Sequence, residues 1–344
     1  MPLRLFFCAL ILAAFVFSPL NGLQEPSAAE AHAVDEIHGK LIEKSIMVNG
    51  MERWYRLYLP QRFDQNAGTV VLLHGGTQSM RKIFRRGAGG AKNWLHISDR
   101  QGFLLIVPNG VNPKTGDAKG DKQQWNDLRG EGPGRFSTAA DVGFITQLLR
   151  ALGKEYGFAK NRVFVTGASN GGMLTYRLLI EAPEYFAAGA AFIANLPKAM
   201  IGRLANPSKP TPLMIMNGTQ DRVVPWSGGQ VARNRGEVLS AAETVAWWVK
   251  VNRAALKGSS PMALKDLAPD DGCRIFLVKH AATGKNSAPV YFYTMQGAGH
   301  AMPSVKYDPP EFLRLMRIKG PVCKDAEGSE LAWNFFQKHS GAVR

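Results

Sequence analysis

Short, unbroken apolar runs bounded by turn residues constrain this chain more than any other feature. They occur at Gly68–Leu73, Phe103–Val107, Val163–Val165, Ala187–Ile193, Leu213–Met216 and Val290–Thr294. A strand with one wet face alternates apolar and polar residues, whereas a strand covered on both faces reads as a continuous run. Segments of helical period lie between them at Asp141–Tyr156, Met173–Glu181 and Ala241–Asn252. Strand alternating with helix predicts an α/β fold, a mostly parallel sheet with helices on both faces. Two further segments, Lys40–Val48 and Trp54–Leu59, flank Asn49-Gly50. That dipeptide suits a type I′ turn and predicts an antiparallel hairpin at the start of the sheet.

The run Arg162–Thr166 leads into Gly167-Ala168-Ser169-Asn170-Gly171 and then into a helix. A serine on such a strand-to-helix turn is lifted clear of the sheet, and glycines on either side avoid collision with the neighbouring strand and helix. The helix start directs N–H groups and partial positive charge toward whatever reacts there. A serine hydroxyl needs a base, and that base needs a third group to fix its tautomer. In parallel sheets such groups sit at the carboxyl ends of strands. Met214–Met216 runs into Asn217-Gly218-Thr219-Gln220-Asp221, and Tyr293–Met295 into Gln296-Gly297-Ala298-Gly299-His300. The candidate constellation is therefore Ser169, Asp221 and His300, in the chain order of an α/β-hydrolase. Asp127 is the runner-up carboxylate, but it precedes the serine.

Leu73-His74-Gly75-Gly76-Thr77 ends another strand. A backbone N–H there, from Gly76 or Thr77, is expected to join that of Asn170 in an oxyanion hole. His74 is read as shaping this turn rather than as a base. Trp125 and Trp226 flank the expected site loops, where they would either hold substrate or pack the rim. Asp141 is read as a helix N-cap. Pro108–Phe136, rich in Gly, Lys, Asp and Pro, is too long for a mere connector and is assigned to the site rim.

Together Leu73-His74-Gly75-Gly76, Trp125-Asn126, Asp141-Val142-Gly143-Phe144, Gly167–Met173, Asn217–Asp221 with Val224-Pro225-Trp226 and Gly228-Gly229, and Gly297–His300 resemble the secreted polyhydroxybutyrate depolymerase and feruloyl esterase family of the α/β-hydrolases. The resemblance covers roughly Lys40 to Pro303. It implies an α/β-hydrolase fold, a Ser-His-Asp triad and hydrolysis of carboxylic esters: hydroxybutyrate oligomers or polyester, or feruloyl-type esters. Where such proteins often carry a tryptophan after the histidine, this chain has Ala301-Met302-Pro303. It shows no linker leading to a polymer-binding module, which favours soluble esters or oligomers. Rival readings are a serine peptidase of the same fold and a noncatalytic carbohydrate- or wall-binding protein.

The segment 1–33 has one early arginine, an apolar stretch from Leu5 to Phe17 and small residues near Ala28 and Ala33. It reads as a signal peptide ahead of one catalytic domain at 34–344, with an uncleaved anchor as the alternative. The expected location is secreted or periplasmic, with no stable membrane insertion after cleavage. Cys8 would leave with the leader. Cys273 and Cys323 would then form one disulfide, worth about 4 kcal/mol on the chain-entropy model, or stay as separate buried thiols. The net charge of +15 is spread along the chain without a basic, aromatic-interleaved run. Nucleic acid is thus not an expected partner, whereas attraction to acidic polymers is open. No metal or other cofactor is expected from the spacing of Cys and His.

Overall fold

A computed structural model describes residues 36–85, 90–132, 134–306 and 320–340, so the leader expected at 1–33 lies outside the described residues. The apolar runs form β3 (Thr69–Leu73), β4 (Leu104–Pro108), β5 (Val163–Ala168), β6 (Ala188–Phe192), β7 (Leu213–Gly218) and β12 (Val290–Gln296). The amino-terminal hairpin is β1 (Lys40–Val48) and β2 (Met51–Leu59); β8 (Gly229–Gln230), β9 (Glu237–Val238), β10 (Met262–Ala263) and β11 (Arg274–His280) complete the strands. The helices are α1 (Asn93–Gln101), α2 (Asp141–Tyr156), α3 (Asn170–Glu181), α4 (Lys198–Arg203), α5 (Ala241–Val251) and α6 (Gly328–His339).

One sheet runs in the order β1-β2-β4-β3-β5-β6-β7-β12-β11-β10, and β8 pairs with β9 apart from it. From β4 to β12 every neighbouring pair is parallel. The outer strands β2, β1, β11 and β10 add antiparallel. This is the mostly parallel sheet with helices on both faces that the alternation of runs predicts. The period-two geometry of a strand explains how each run serves two layers. Val71 and Leu73 of β3 pack with Phe144 and Leu148 of α2 and Leu174 of α3. Val70 and Leu72 face the other way, toward Trp94 of α1 and Trp333 and Phe336 of α6.

The hairpin turn has φ of 49° at Asn49 and 78° at Gly50, and its register begins at Val48 opposite Met51. β2 thus starts three residues before the expected Trp54. Met51 and Glu52 are exposed; backbone pairing, not burial, makes them strand, so no apolar signal marks them. Neither α1 nor α6 was anticipated. Stacked aromatics fix α6 in place: Trp333 on Phe103 at 4.4 Å and Phe336 on Phe164 at 4.8 Å. Asn93 Nδ2 donates to Ser329 Oγ at 2.9 Å, joining α1 to α6.

Cys273 and Cys323 form a disulfide with their Cα atoms 5.3 Å apart. It joins the residue before β11 to the segment leading into α6. Of the two cysteine readings, the bridge is what the fold contains.

Candidate active site

Ser169 has φ 57° and ψ −122°, a conformation strained for a residue with a Cβ. Its N–H donates to Phe192 O at 2.9 Å and its carbonyl accepts from Met173 N–H at 2.9 Å, so β5 is pinned to β6 just where α3 begins. The glycines are required by closeness. A Cβ on Gly167 would lie 2.5 Å from the Gly171 carbonyl carbon, and one on Gly171 would lie 2.6 Å from His74 O. The elbow and the β3 turn are therefore packed backbone to backbone. The Ser169 residue itself remains partly exposed.

Asp221 and His300 meet at the carboxyl ends of β7 and β12. His300 Nδ1 lies 2.7 Å from Asp221 Oδ2. Asp221 Oδ1 accepts from Val223 N–H and Val224 N–H, both at 2.8 Å. An ionised carboxylate only accepts, so in the neutral imidazole the ring proton sits on Nδ1 and the lone pair on Nε2. The two loops hold each other: Gln220 N–H donates to Ala298 O at 2.9 Å, and Gly297 N–H to Thr219 Oγ1 at 2.9 Å. A Cβ on Gly218 would stand 2.5 Å from Ala298 O. Gly299 N–H donates to Pro321 O at 2.9 Å and Ser304 N–H to Cys323 O at 3.0 Å, so the disulfide-bearing segment backs the histidine loop.

The β3 turn lies beside the serine. A Cβ on Gly75 would be 3.9 Å from Ser169 Cβ, and one on Gly76 3.5 Å from Asn170 Cβ. Thr77 N–H donates to Gln123 O at 2.8 Å. Of the two donors expected, Gly76 or Thr77, this removes Thr77: the bridge between Gln78 and Gln123 pulls its N–H the other way. The N–H groups of Gly76 and of Asn170, in the first turn of α3, have no acceptor among the described residues.

His74 is buried and shapes this turn. Gly110 N–H donates to its Nε2 at 3.0 Å, which leaves Nδ1–H to donate to Gly75 O at 2.9 Å. Burial pushes the imidazole down to about 4, so it is neutral near pH 7. Trp125 is 1% exposed, packs its ring against His74 at 4.6 Å with a 30° tilt and donates from Nε1 to His74 O at 2.8 Å. It is a strut behind the turn and not a substrate contact, which corrects that expectation. Its backbone also clamps Asn170, donating N–H to Asn170 Oδ1 at 2.8 Å and accepting from Nδ2 at 3.1 Å. Asp127 Oδ2 takes the other Nδ2 hydrogen at 2.6 Å. The runner-up carboxylate thus braces Asn170 and does not face His300.

Trp226 is half-buried, stacks on Phe292 at 5.8 Å, and with Asp221, Arg222 and Pro225 lines an open depression of about 380 Å³. Asp141 is no N-cap. It is the first residue of α2, where Ala140 precedes it without a side-chain cap. Its carboxylate accepts from Arg53 Nη2 at 2.6 Å and from Asn126 N–H at 2.7 Å in full burial. Burial raises the Asp141 carboxyl, while Arg53 and Asn126 hold it back. The signal for Arg53 was present: in β2 it shares the alternate, inward positions of Tyr55 and Leu57.

Among the described residues no group of His, Cys, Asp and Glu has metal-binding spacing, and no helix is long and apolar enough to cross a membrane.

A family model described as phospholipase/carboxylesterase matches residues 61–245. Similar curated proteins include a probable acetylxylan esterase A of Aspergillus niger, 30% identical over 138 residues, 40% of this chain and 40% of that protein. Another is a poly(3-hydroxybutyrate) depolymerase of Ralstonia pickettii, 28% identical over 184 residues, 52% of this chain and 35% of that protein. The chain spans less than half the length of these relatives. Among solved structures, an acetyl xylan esterase from Aspergillus awamori superposes with a TM-score of 0.49 and 18% identity, covering 76% of this chain and 95% of that one.

Proposed function

The chain belongs to the phospholipase/carboxylesterase family, and from that premise we propose that it is an exported serine hydrolase of carboxylic esters with Ser169 as nucleophile, His300 as base and Asp221 as its orienting partner. The observation that carries this reading is the 2.7 Å contact of His300 Nδ1 with Asp221 Oδ2, which turns Nε2 of the neutral ring away from the carboxylate and free to act as base. As Ser169 Oγ attacks the ester carbonyl carbon, Nε2 takes the hydroxyl proton. The carbonyl oxygen becomes an oxyanion held by the N–H groups of Asn170 and Gly76. Collapse expels the alcohol oxygen, which leaves with the proton from Nε2. Water then attacks the acyl-serine with His300 again as base, and the acid departs as Ser169 Oγ regains a proton. Asp221 stabilises the imidazolium at each stage without being protonated itself.

Its proposed substrates are 3-hydroxybutyrate oligomers or polyester and acetyl esters, in keeping with the names of the similar proteins, or the feruloyl-type esters that the sequence resemblance implies. Export fits the leader at 1–33 and a disulfide that persists in oxidising compartments. The test compares wild type with Ser169→Ala on p-nitrophenyl acetate and butyrate, methyl ferulate and soluble 3-hydroxybutyrate oligomers. The expected result is a loss of at least about ten-thousandfold in kcat in the variant. Turnover surviving the substitution refutes the assignment of the nucleophile.

A further inference from the structure

Where β6 ends, the backbone takes a turn that its sequence does not favour. Ile193 has φ 44°, a left-handed value that a β-branched side chain resists. Its N–H donates to Met216 O at 2.7 Å, which closes the ladder between β6 and β7. Beyond that point a side chain takes over from the backbone. Asn217 Oδ1 accepts from Ala194 N–H at 2.9 Å and Nδ2 donates to Ala194 O at 3.2 Å, so its amide stands where a peptide group would. The other Nδ2 hydrogen goes to Asn195 Oδ1 at 2.8 Å, and Asn195 Nδ2 donates to Pro225 O at 2.8 Å. Asn195 and Asn217 are 1% and 5% exposed, so water does not readily replace these bonds.

The two ends of this network belong to different parts of the site. On one side is the serine elbow. Ser169 N–H donates to Phe192 O, Tyr176 Oη of α3 donates to Ala194 O at 2.9 Å, and a Cβ on Gly172 would stand 2.7 Å from Ala194 Cβ. On the other side is the loop that carries Asp221. Asn217 lies at the end of β7 and Pro225 just past Asp221, so the asparagines grip that loop on both sides of the carboxylate. The same loop is tied to the His300 loop through Gln220 N–H on Ala298 O and Gly297 N–H on Thr219 Oγ1. A strained residue persists only where its surroundings over-determine it, and such residues gather at functional sites. The asparagine bonds supply that restraint around Ile193.

We propose that Asn195 and Asn217 are positioning residues: they hold Asp221 and His300, as one unit, in register with the elbow that carries Ser169. The inference rests on the ester-hydrolase reading for the roles of those three residues. Neither asparagine touches the reacting atoms. Loosening their link displaces the base relative to the serine and leaves the contact of His300 with Asp221 whole. A displacement of about 1 Å costs on the order of a hundredfold in rate.

The test is Asn195→Ala, which cuts the bond to Pro225 O and spares those between Asn217 and Ala194. Asn195→Ser is the milder variant, used should the first not fold. Hydrolysis of p-nitrophenyl acetate, counted per active site titrated with a fluorophosphonate, should show kcat lowered by about tenfold to a hundredfold, with KM within about threefold of wild type. The far-downfield proton resonance of His300 Nδ1–H, assigned by its absence in His300→Gln, should persist, because Asp221 moves with the histidine. Thr244→Val is the control: it removes a buried bond on the same segment, Leu196 N–H to Thr244 Oγ1 at 3.0 Å, which leads to α5 instead of to the Asp221 loop. It should lower the urea midpoint without lowering kcat. The proposal is overturned by a kcat within about threefold of wild type in the folded Asn195 variant, by loss of the histidine resonance, or by an equal fall of kcat in Thr244→Val. Ser169→Ala reads the ester-hydrolase assignment by itself. Turnover surviving there sinks that reading, whereas its loss beside an unimpaired Asn195 variant sinks only this inference.

Discussion

Replacing Asp141 by Asn should destabilise the protein by about 3–5 kcal/mol, although Asp141 touches neither Ser169 nor His300. Arg53 and Asp141 are 2% and 0% exposed, so neither can turn to water when its partner is lost. Arg53 Nη2 would keep its 3.2 Å bond to Asn109 O, and the guanidinium would keep the Phe144 ring at 4.2 Å. Its charge would nevertheless be buried without a counter-ion, the condition under which breaking a pair is most damaging. The Asn126 N–H adds to the cost if the new amide turns its nitrogen toward it. The double variant Arg53→Met with Asp141→Leu removes both charges and their desolvation, and should recover most of the loss. Urea unfolding followed by fluorescence reads the midpoint and slope for wild type, Asp141→Asn, the component singles Arg53→Met and Asp141→Leu, and their double. A loss under about 1 kcal/mol in Asp141→Asn at unchanged slope would refute this account. So would a double variant whose loss equals the sum of the singles, because the pair would then have no coupling.

Acid should also weaken the fold through His74. Its imidazole sits near 4 in the folded protein against about 6.5 in an unfolded chain, so between those values the unfolded state binds the extra proton. Stability is therefore complete above about pH 6.5 and falls by about 3 kcal/mol as the pH drops toward 4. The difference between urea midpoints at pH 7 and 4.5 should shrink in His74→Gln; an unchanged difference would assign the pH effect elsewhere. Gly171→Ala should lower kcat by about a hundredfold or more, because the new methyl displaces the β3 turn that carries Gly76 N–H. Gly143→Ala is the contrasting helix position, with nothing within 4 Å of the new Cβ, and should leave kcat unchanged while raising the melting temperature slightly. Equal kinetics in the two variants would show that closeness at the elbow is not what makes Gly171 necessary.

The apolar runs made the parallel sheet legible because burial on both faces leaves an unbroken signature, and β3 and β4 have no exposed residue. The outer ends of the hairpin were not legible, since Met51 and Glu52 are strand by backbone pairing alone. α6 was missed although Ala332, Trp333, Phe335 and Phe336 mark its inward face; a twelve-residue helix beyond the last parallel strand carries little periodic signal. Around the site, sequence located loops but not directions. It brought Thr77 and Trp125 to the correct neighbourhood, yet whether an N–H is already committed to Gln123, or an indole faces His74 rather than solvent, depends on chain segments distant in sequence. Asp141 shows the same limit, because its partner Arg53 lies 88 residues away.

The bridge between Cys273 and Cys323 closes a covalent ring that contains β11, β12 and His300, while Ser169 and Asp221 lie on the open chain outside it. A protease that cuts once inside the ring therefore releases nothing. The exposed turn at Gly284-Lys285-Asn286 is such a place, and a nick there leaves both pieces joined through sulfur and the histidine strand still paired with β7. The same single cut between Asp221 and Cys273 would separate the histidine from its partners in all but noncovalent contact. The consequence of a single cut thus differs along the chain, and the ring that holds His300 is where one cut leaves the pieces covalently joined.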